Sequence, residues 1–125
     1  MTPSSPYGPA SFAEVYPDVV AAGSLATALG RAAADAGLDL GEIQAADPMV
    51  VLEWAEVRSV TPEGRPLWVR TTPFERVFGI DGRSHDGQRL RGGTSDLTEV
   101  ARAAAAWRSG ATFEEIRRAA AFLLP

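Results

Sequence analysis

Apolar positions along this chain change period twice. Leu25, Ala28, Leu29, Ala32 and Ala36 recur at helical spacing, with Ser24 before them as an N-cap and Gly37 after them as a stop. From Met49 the period shortens. MVVLEWAEVRSV (49–60) is β-branched and aromatic, bounded by Pro48 and Thr61–Pro62, and predicts a strand. Its first half is apolar on both alternations, which suits a strand covered on both faces. PEGR (62–65) predicts a turn, LWVRT (67–71) a second strand, ERVFGI (75–80) a third after the Thr72–Pro73 turn, and QRLR (88–91) a short fourth. Helical spacing returns with Leu97, Val100, Ala101, Ala104 and Trp107, and again with Phe113, Ile116, Ala120 and Leu123. Asp96 with Glu99, and Thr112 with Glu115, have the spacing of capping boxes, and Gly110 supplies a left-handed stop between the two helices.

The order predicts an α+β fold: an N-terminal helix, a small antiparallel meander sheet of three or four strands, and a C-terminal helical hairpin packed on the sheet. The runner-up arrangement swaps the last helix onto a partner subunit. Residues 11–125 read as a single domain behind a disordered tail, MTPSSPYGPA (1–10). SFAEVYPDVVAAG (11–23) holds one or two short helical turns broken near Pro17, and 41–48 reads as a loop. The register of the first hairpin stays open. A one-residue slip decides whether Trp68 shares a face with Trp54.

Composition narrows the function classes. The chain has 125 residues and no cysteine, which excludes disulfides, thiol catalysis and zinc–thiolate sites. A single histidine, His85, excludes a multi-histidine metal site within one chain, so no metal is expected. No cofactor motif is present, and no cofactor is expected. The chain carries neither an apolar run long enough to span a bilayer nor a signal peptide, which predicts a cytoplasmic protein with no membrane partner. All twelve basic residues are arginine, a mark of GC-rich coding. Residues 1–56 hold Arg31 and eight acids, a net of −7; the remainder is +3, giving the overall −4. That balance disfavours nucleic acid as a partner, because phosphate contacts need local positive charge. The one local exception is the arginine group from Arg65 to Arg91, which includes Arg70 and Arg76.

Candidate chemistry is sparse. Asp81 to Gly87 (DGRSHDG) puts a carboxylate, an imidazole and a hydroxyl in one loop, making His85 a weak catalytic candidate. The same residues also describe a hairpin end, and adjacent Ser84 and His85 point apart on an extended chain. Glu53 is a second weak candidate, although Glu53 and Glu56 would lie on opposite faces of a strand. Trp54, Trp68, Arg70 and Arg76 are the candidate binding residues: large amphipathic rings with cations near them. Trp107 reads as a core or interface anchor.

YPDVVAAGSLATAL (16–29), GLDL (37–40) and GGTSDLTEVARAAAAWRSGATFEEIRRAAAFL (92–123) resemble an actinobacterial family of unknown function whose members are labelled "natural product biosynthesis protein". The likeness covers both ends of the chain. It implies an accessory place in such biosynthesis and carries no functional residues over. Three functions follow as expectations. The first is a non-catalytic accessory or binding domain that contacts a protein partner or forms a homodimer. The second is a small cofactor-free enzyme, or a binder of an aromatic metabolite, with a pocket between sheet and helices. The third is a weak anion or nucleic-acid binder acting through Arg65–Arg91.

Overall fold

The computed structural model describes residues 11–45, 47–61 and 64–125; the expected N-terminal tail lies outside the described residues. The fold is α+β, with helices gathered on one side of an antiparallel meander. Two short helices come first, α1 (Phe12–Val15) and α2 (Pro17–Ala22). Pro17 separates them: it sits at the first helical position of α2, where no N–H is needed, and it keeps Tyr16 out of helical backbone. Ser24 caps α3 (Leu25–Asp35), its hydroxyl accepting the Thr27 N–H at 3.0 Å.

Among the described residues the sheet has five strands rather than three or four. They are β1 (Ile43–Gln44), β2 (Trp54–Val57), β3 (Leu67–Thr71), β4 (Phe78–Arg83) and β5 (Arg89–Thr94), hydrogen-bonded in that order. The extra strand β1 comes from the stretch read as loop, and pairs Ile43 with Val57. The long strand expected over 49–60 shrinks to 54–57. Its apolar first part is instead a 3-10 turn over Pro48–Val50, capped by Asp47, whose carboxylate accepts the Met49 N–H at 2.9 Å. Proline has no N–H for a ladder and aspartate offers the backbone a local acceptor, so the turn wins over the strand. Met49 is consequently 88% exposed rather than covered on both sides. β4 begins at Phe78, not Glu75, because the 72–77 loop is held to Tyr16. β5 runs on through Gly92 and Gly93. At Gly92 the chain end crosses, with Leu123 bridging to it, and a Cβ there would stand 2.8 Å from the Phe122 carbonyl oxygen.

The C-terminal pair is α4 (Leu97–Arg108) and α5 (Phe113–Ala119), joined through Gly110 at φ 85°. The Thr112–Glu115 capping box forms in full. At α4 only half of the expected box forms: Asp96 accepts the Thr98 N–H at 2.9 Å, while Glu99 bonds Arg102 at 2.7 Å. α5 ends earlier than its apolar spacing suggests, releasing Leu123 to the sheet.

The core lies between these layers. Ala55, Val57, Leu67, Val69, Phe78, Ile80 and Leu90 point inward from the strands and meet Leu25, Leu29, Val100, Ala101, Ala104 and Ile116. Small alanines on α4 let α3 and the sheet approach closely, and burial of this set supplies the main driving force for folding. Among the described residues the other face of the sheet carries no helix.

Candidate functional site on the uncovered sheet face

Strand alternation decides what faces outward. The register pairs Trp54 with Arg70 and Arg70 with Gly79, then Glu56 with Trp68, Trp68 with Asp81 and Asp81 with Arg91, and finally Arg83 with Arg89. All of these residues therefore lie on the face away from the helices. Trp54 and Trp68, diagonal neighbours on adjacent strands, meet edge to face with ring centroids 5.9 Å apart and planes at 85°. Trp54 is 36% exposed.

A cleft of about 510 Å³ opens here, lined by Asp47, Val50, Trp54, Trp68, Arg70 and Asp81. Arg70 lies across Gly79: a Cβ at Gly79 would stand 3.4 Å from the Arg70 Nε. Glycine at this position leaves room for the Arg70 side chain over β4. Arg70 has no hydrogen-bonded or ionic partner among the described residues.

A second cleft of about 760 Å³ adjoins the first and shares Trp68 and Asp81 with it. It runs to the end of the sheet where β4 meets the C-terminus of α4, and Arg65, Arg83, His85, Arg89 and Trp107 line it. Trp107 is half-buried rather than a full core residue. Its indole N–H donates to the Arg83 carbonyl at 2.7 Å and so ties α4 to the strand end. Asp81 pairs with Arg89 at 3.3 Å.

The outward strand positions carry Arg70, Arg83, Arg89 and Arg91 against Glu56 and Asp81, and with Asp47 at the first cleft the count is four cations to three anions, a net of +1 on a chain of −4.

Three of the four candidate binding residues, Trp54, Trp68 and Arg70, come together here. Arg76 does not. It forks onto Asp18 at 2.8 and 2.9 Å, donates to the Ser95 carbonyl at 3.0 Å, and lies 5.0 Å from the Phe78 ring centroid. The Asp18 carboxylate raises the Arg76 pKa, and the Arg76 fork lowers that of Asp18, so both stay charged. Glu53 sits in the turn ahead of β2, where its carbonyl accepts the Thr71 N–H at 2.9 Å.

His85 is exposed at the rim of the second cleft. Its neighbour Ser84 is buried, and the Ser84 hydroxyl is committed to Asp86 and to the Gln88 N–H. Asp86 in turn accepts the Phe113 N–H at 3.0 Å, in the first turn of α5. Those bonds, the Ser84 hydroxyl first, hold the Asp86 carboxyl below its usual range. The loop polar groups thus fasten the β4–β5 connection to the helical hairpin.

Val50 and Gly79 escaped sequence reasoning: Val50 was assigned to a strand interior, and Gly79 has no side chain to notice. The Asp47–Pro48 pair was the available signal for Val50, since it favours a turn over a strand.

Fold and face together define an α+β protein with helices on one side of a meander sheet and an open aromatic and cationic surface on the other. No family model, no curated protein and no solved structure matches the chain. Among the described residues no helix is long and apolar enough to cross a membrane.

Proposed function

We propose that this protein is a non-catalytic binding module, an accessory component acting in the cytoplasm, whose contact surface is the uncovered face of the sheet. The observation that carries this reading is the edge-to-face pair of Trp54 and Trp68, open to solvent beside the unpartnered Arg70. Two partly exposed indoles on one sheet face are apolar area left for a ligand, and tryptophan and arginine are the residues that dominate contact energies. The hydroxyl and carboxylate of the β4–β5 loop support binding over turnover, because the fold already uses them: Ser84 and Asp86 close the loop and hold α5. The carboxyls that shift, Asp18, Asp86 and Glu115, all shift downward, the direction opposite to that of a general acid. The binding of an aromatic metabolite is compatible with this surface, with the pocket on the open face instead of between sheet and helices.

Photo-crosslinking in the native host tests the reading. A benzophenone side chain at position 54 or 68 is expected to give mass-shifted adducts, whereas one at position 31 or 118, in the helical layer, is not. Adducts from the helical positions alone, or from none of the four, would overturn it.

A further inference from the structure

We infer that the ligand of this face is an elongated small anion, with a flat aromatic or apolar end seated on Trp54 and Trp68 and a carboxylate or phosphate held at the Arg83–Arg89 end. This names the ligand class for the surface proposed above and rests on that reading.

The two clefts adjoin and differ in their charged lining. They meet at Trp68 and Asp81; Val50 and the two indoles make one end apolar, and Arg65, Arg83 and Arg89 make the other cationic. A ligand spanning both must be apolar at one end and anionic at the other. Its length follows from the register. The row of Trp54, Arg70 and Gly79 lies four residues along β4 from the pair Arg83 and Arg89, about 13 Å at the rise of a strand.

The cations at the polar end are available. Arg65 has no hydrogen-bonded or ionic partner among the described residues, and Arg83 gives one N–H to the Gly87 carbonyl at 3.1 Å. Arg89 holds Asp81 only at 3.3–3.4 Å, in an exposed pair of the kind that contributes little and exchanges readily. Asp81 shows that a carboxylate fits against Arg89.

Two other occupants fit less well. A homodimer through this face would be isologous, setting the Arg83 and Arg89 end of one copy against a face of the same positive sign. A nucleic-acid strand needs cations along its whole track, whereas half of this groove is apolar and the chain as a whole is negative.

Two fluorescent probes sharing an aryl framework test the inference on the full chain: anilinonaphthalene sulfonate, which is anionic, and phenylnaphthylamine, which is neutral. The sulfonate is expected to bind on the order of tenfold tighter, by the strength of a charge-assisted contact. The double variant Arg83→Gln/Arg89→Gln should remove that advantage and leave the neutral probe unchanged. Trp54→Ala/Trp68→Ala should weaken both probes. Circular dichroism establishes that each variant remains folded.

Equal binding of the two probes, with no response to the arginine changes, would overturn the anionic end while the tryptophan response keeps the contact surface. Indifference of both probes to the tryptophan changes would overturn the contact surface itself. Single-stranded DNA displacing the sulfonate at lower concentration than naphthaleneacetate or naphthyl phosphate would replace the small anion with a polyanion. Either of those two competing first supports the inference and assigns the head group, carboxylate or phosphate.

Discussion

The Tyr16 hydroxyl lies 2.7 Å from the Thr72 carbonyl and accepts the Thr72 N–H at 2.9 Å, so a residue of the N-terminal segment holds the loop between β3 and β4. The Glu75 and Val77 carbonyls are also within reach at 2.8 and 3.0 Å, and the Val77 N–H at 3.1 Å. One hydroxyl thus organises a six-residue loop from inside a fully buried ring. Tyr16→Phe keeps the ring and removes this anchor. It should cost about 0.5–1.5 kcal/mol, the net contribution of a hydrogen bond, because the Thr72 and Val77 N–H groups also donate to the Val77 and Glu75 carbonyls at 2.9 and 3.0 Å. Urea unfolding checks it, and a loss below about 0.5 kcal/mol would mean that the loop holds itself.

Phe74, at the tip of that loop, has φ 74° and is 69% exposed. Left-handed backbone costs a non-glycine residue about 1–2 kcal/mol, and little burial offsets it here. Phe74→Gly should leave stability unchanged or raise it by up to about 1 kcal/mol, the gain being reduced by the freedom glycine adds to the unfolded chain. Phe74→Val should destabilise, since branching at Cβ is least tolerated at positive φ. Equal unfolding midpoints for the glycine and valine variants would contradict this.

Asp18 ties the same region from the other side. Its hydrogen bonds from Arg76 lower its pKa from the ordinary 3.8, so the folded state binds the proton less readily than the unfolded chain. The stabilisation is therefore complete above the ordinary carboxyl value and disappears as pH falls through the folded value. Asp86, bonded by Ser84, and Glu115, bonded by the Thr112 backbone N–H, have the same sign. Melting temperature should drop between about pH 5 and pH 3. Asp18→Asn should flatten part of that slope, and modestly, because both partners of the ion pair are partly exposed. Identical slopes for the two proteins would remove Asp18 from the explanation.

Gly92 faces the chain end. An added Cβ would press on the Phe122 carbonyl at 2.8 Å and the Leu123 Cα at 3.1 Å, and backbone yields less easily than a side chain. Gly92→Ala should cost about 1–3 kcal/mol, the usual penalty of overpacking, and should speed hydrogen exchange at Leu124, whose N–H bonds the Arg91 carbonyl. Unchanged exchange there would show that the segment adjusts without strain.

Trp107→Phe isolates one hydrogen bond. Losing the indole N–H to the Arg83 carbonyl should cost about 0.5–1.5 kcal/mol. Trp107→Ala should cost more, yet fall short of the roughly 3–5 kcal/mol of a fully buried tryptophan, because the ring is only half-buried. Thermal denaturation of the pair gives both values, and equal losses would mean that the ring contributes nothing beyond its N–H.

Local signals in the chain were informative in proportion to how local the physics is. The caps at Ser24, Asp96 and Thr112 and the stop at Gly110 were legible because each bond joins residues within a few positions of one another. The 49–53 stretch misled because its apolar run resembles a strand, while the Asp47 cap and Pro48 act on the backbone and leave no mark on hydrophobic period. Arg76 was indistinguishable from Arg70 in sequence. One found Asp18, 58 residues upstream, and the other found no partner among the described residues.

The amino-acid sequence by itself determined the capped starts of the longer helices, the α+β order and the presence of two strand tryptophans near a cluster of arginines. Tertiary structure alone decided that Trp54 and Trp68 share the uncovered face, that Arg83 and Arg89 end the same groove, and that Arg76 is withdrawn from it. The reason is range. A cap is satisfied within one helical turn, whereas the facing of a strand side chain is set by register with a partner strand many residues away.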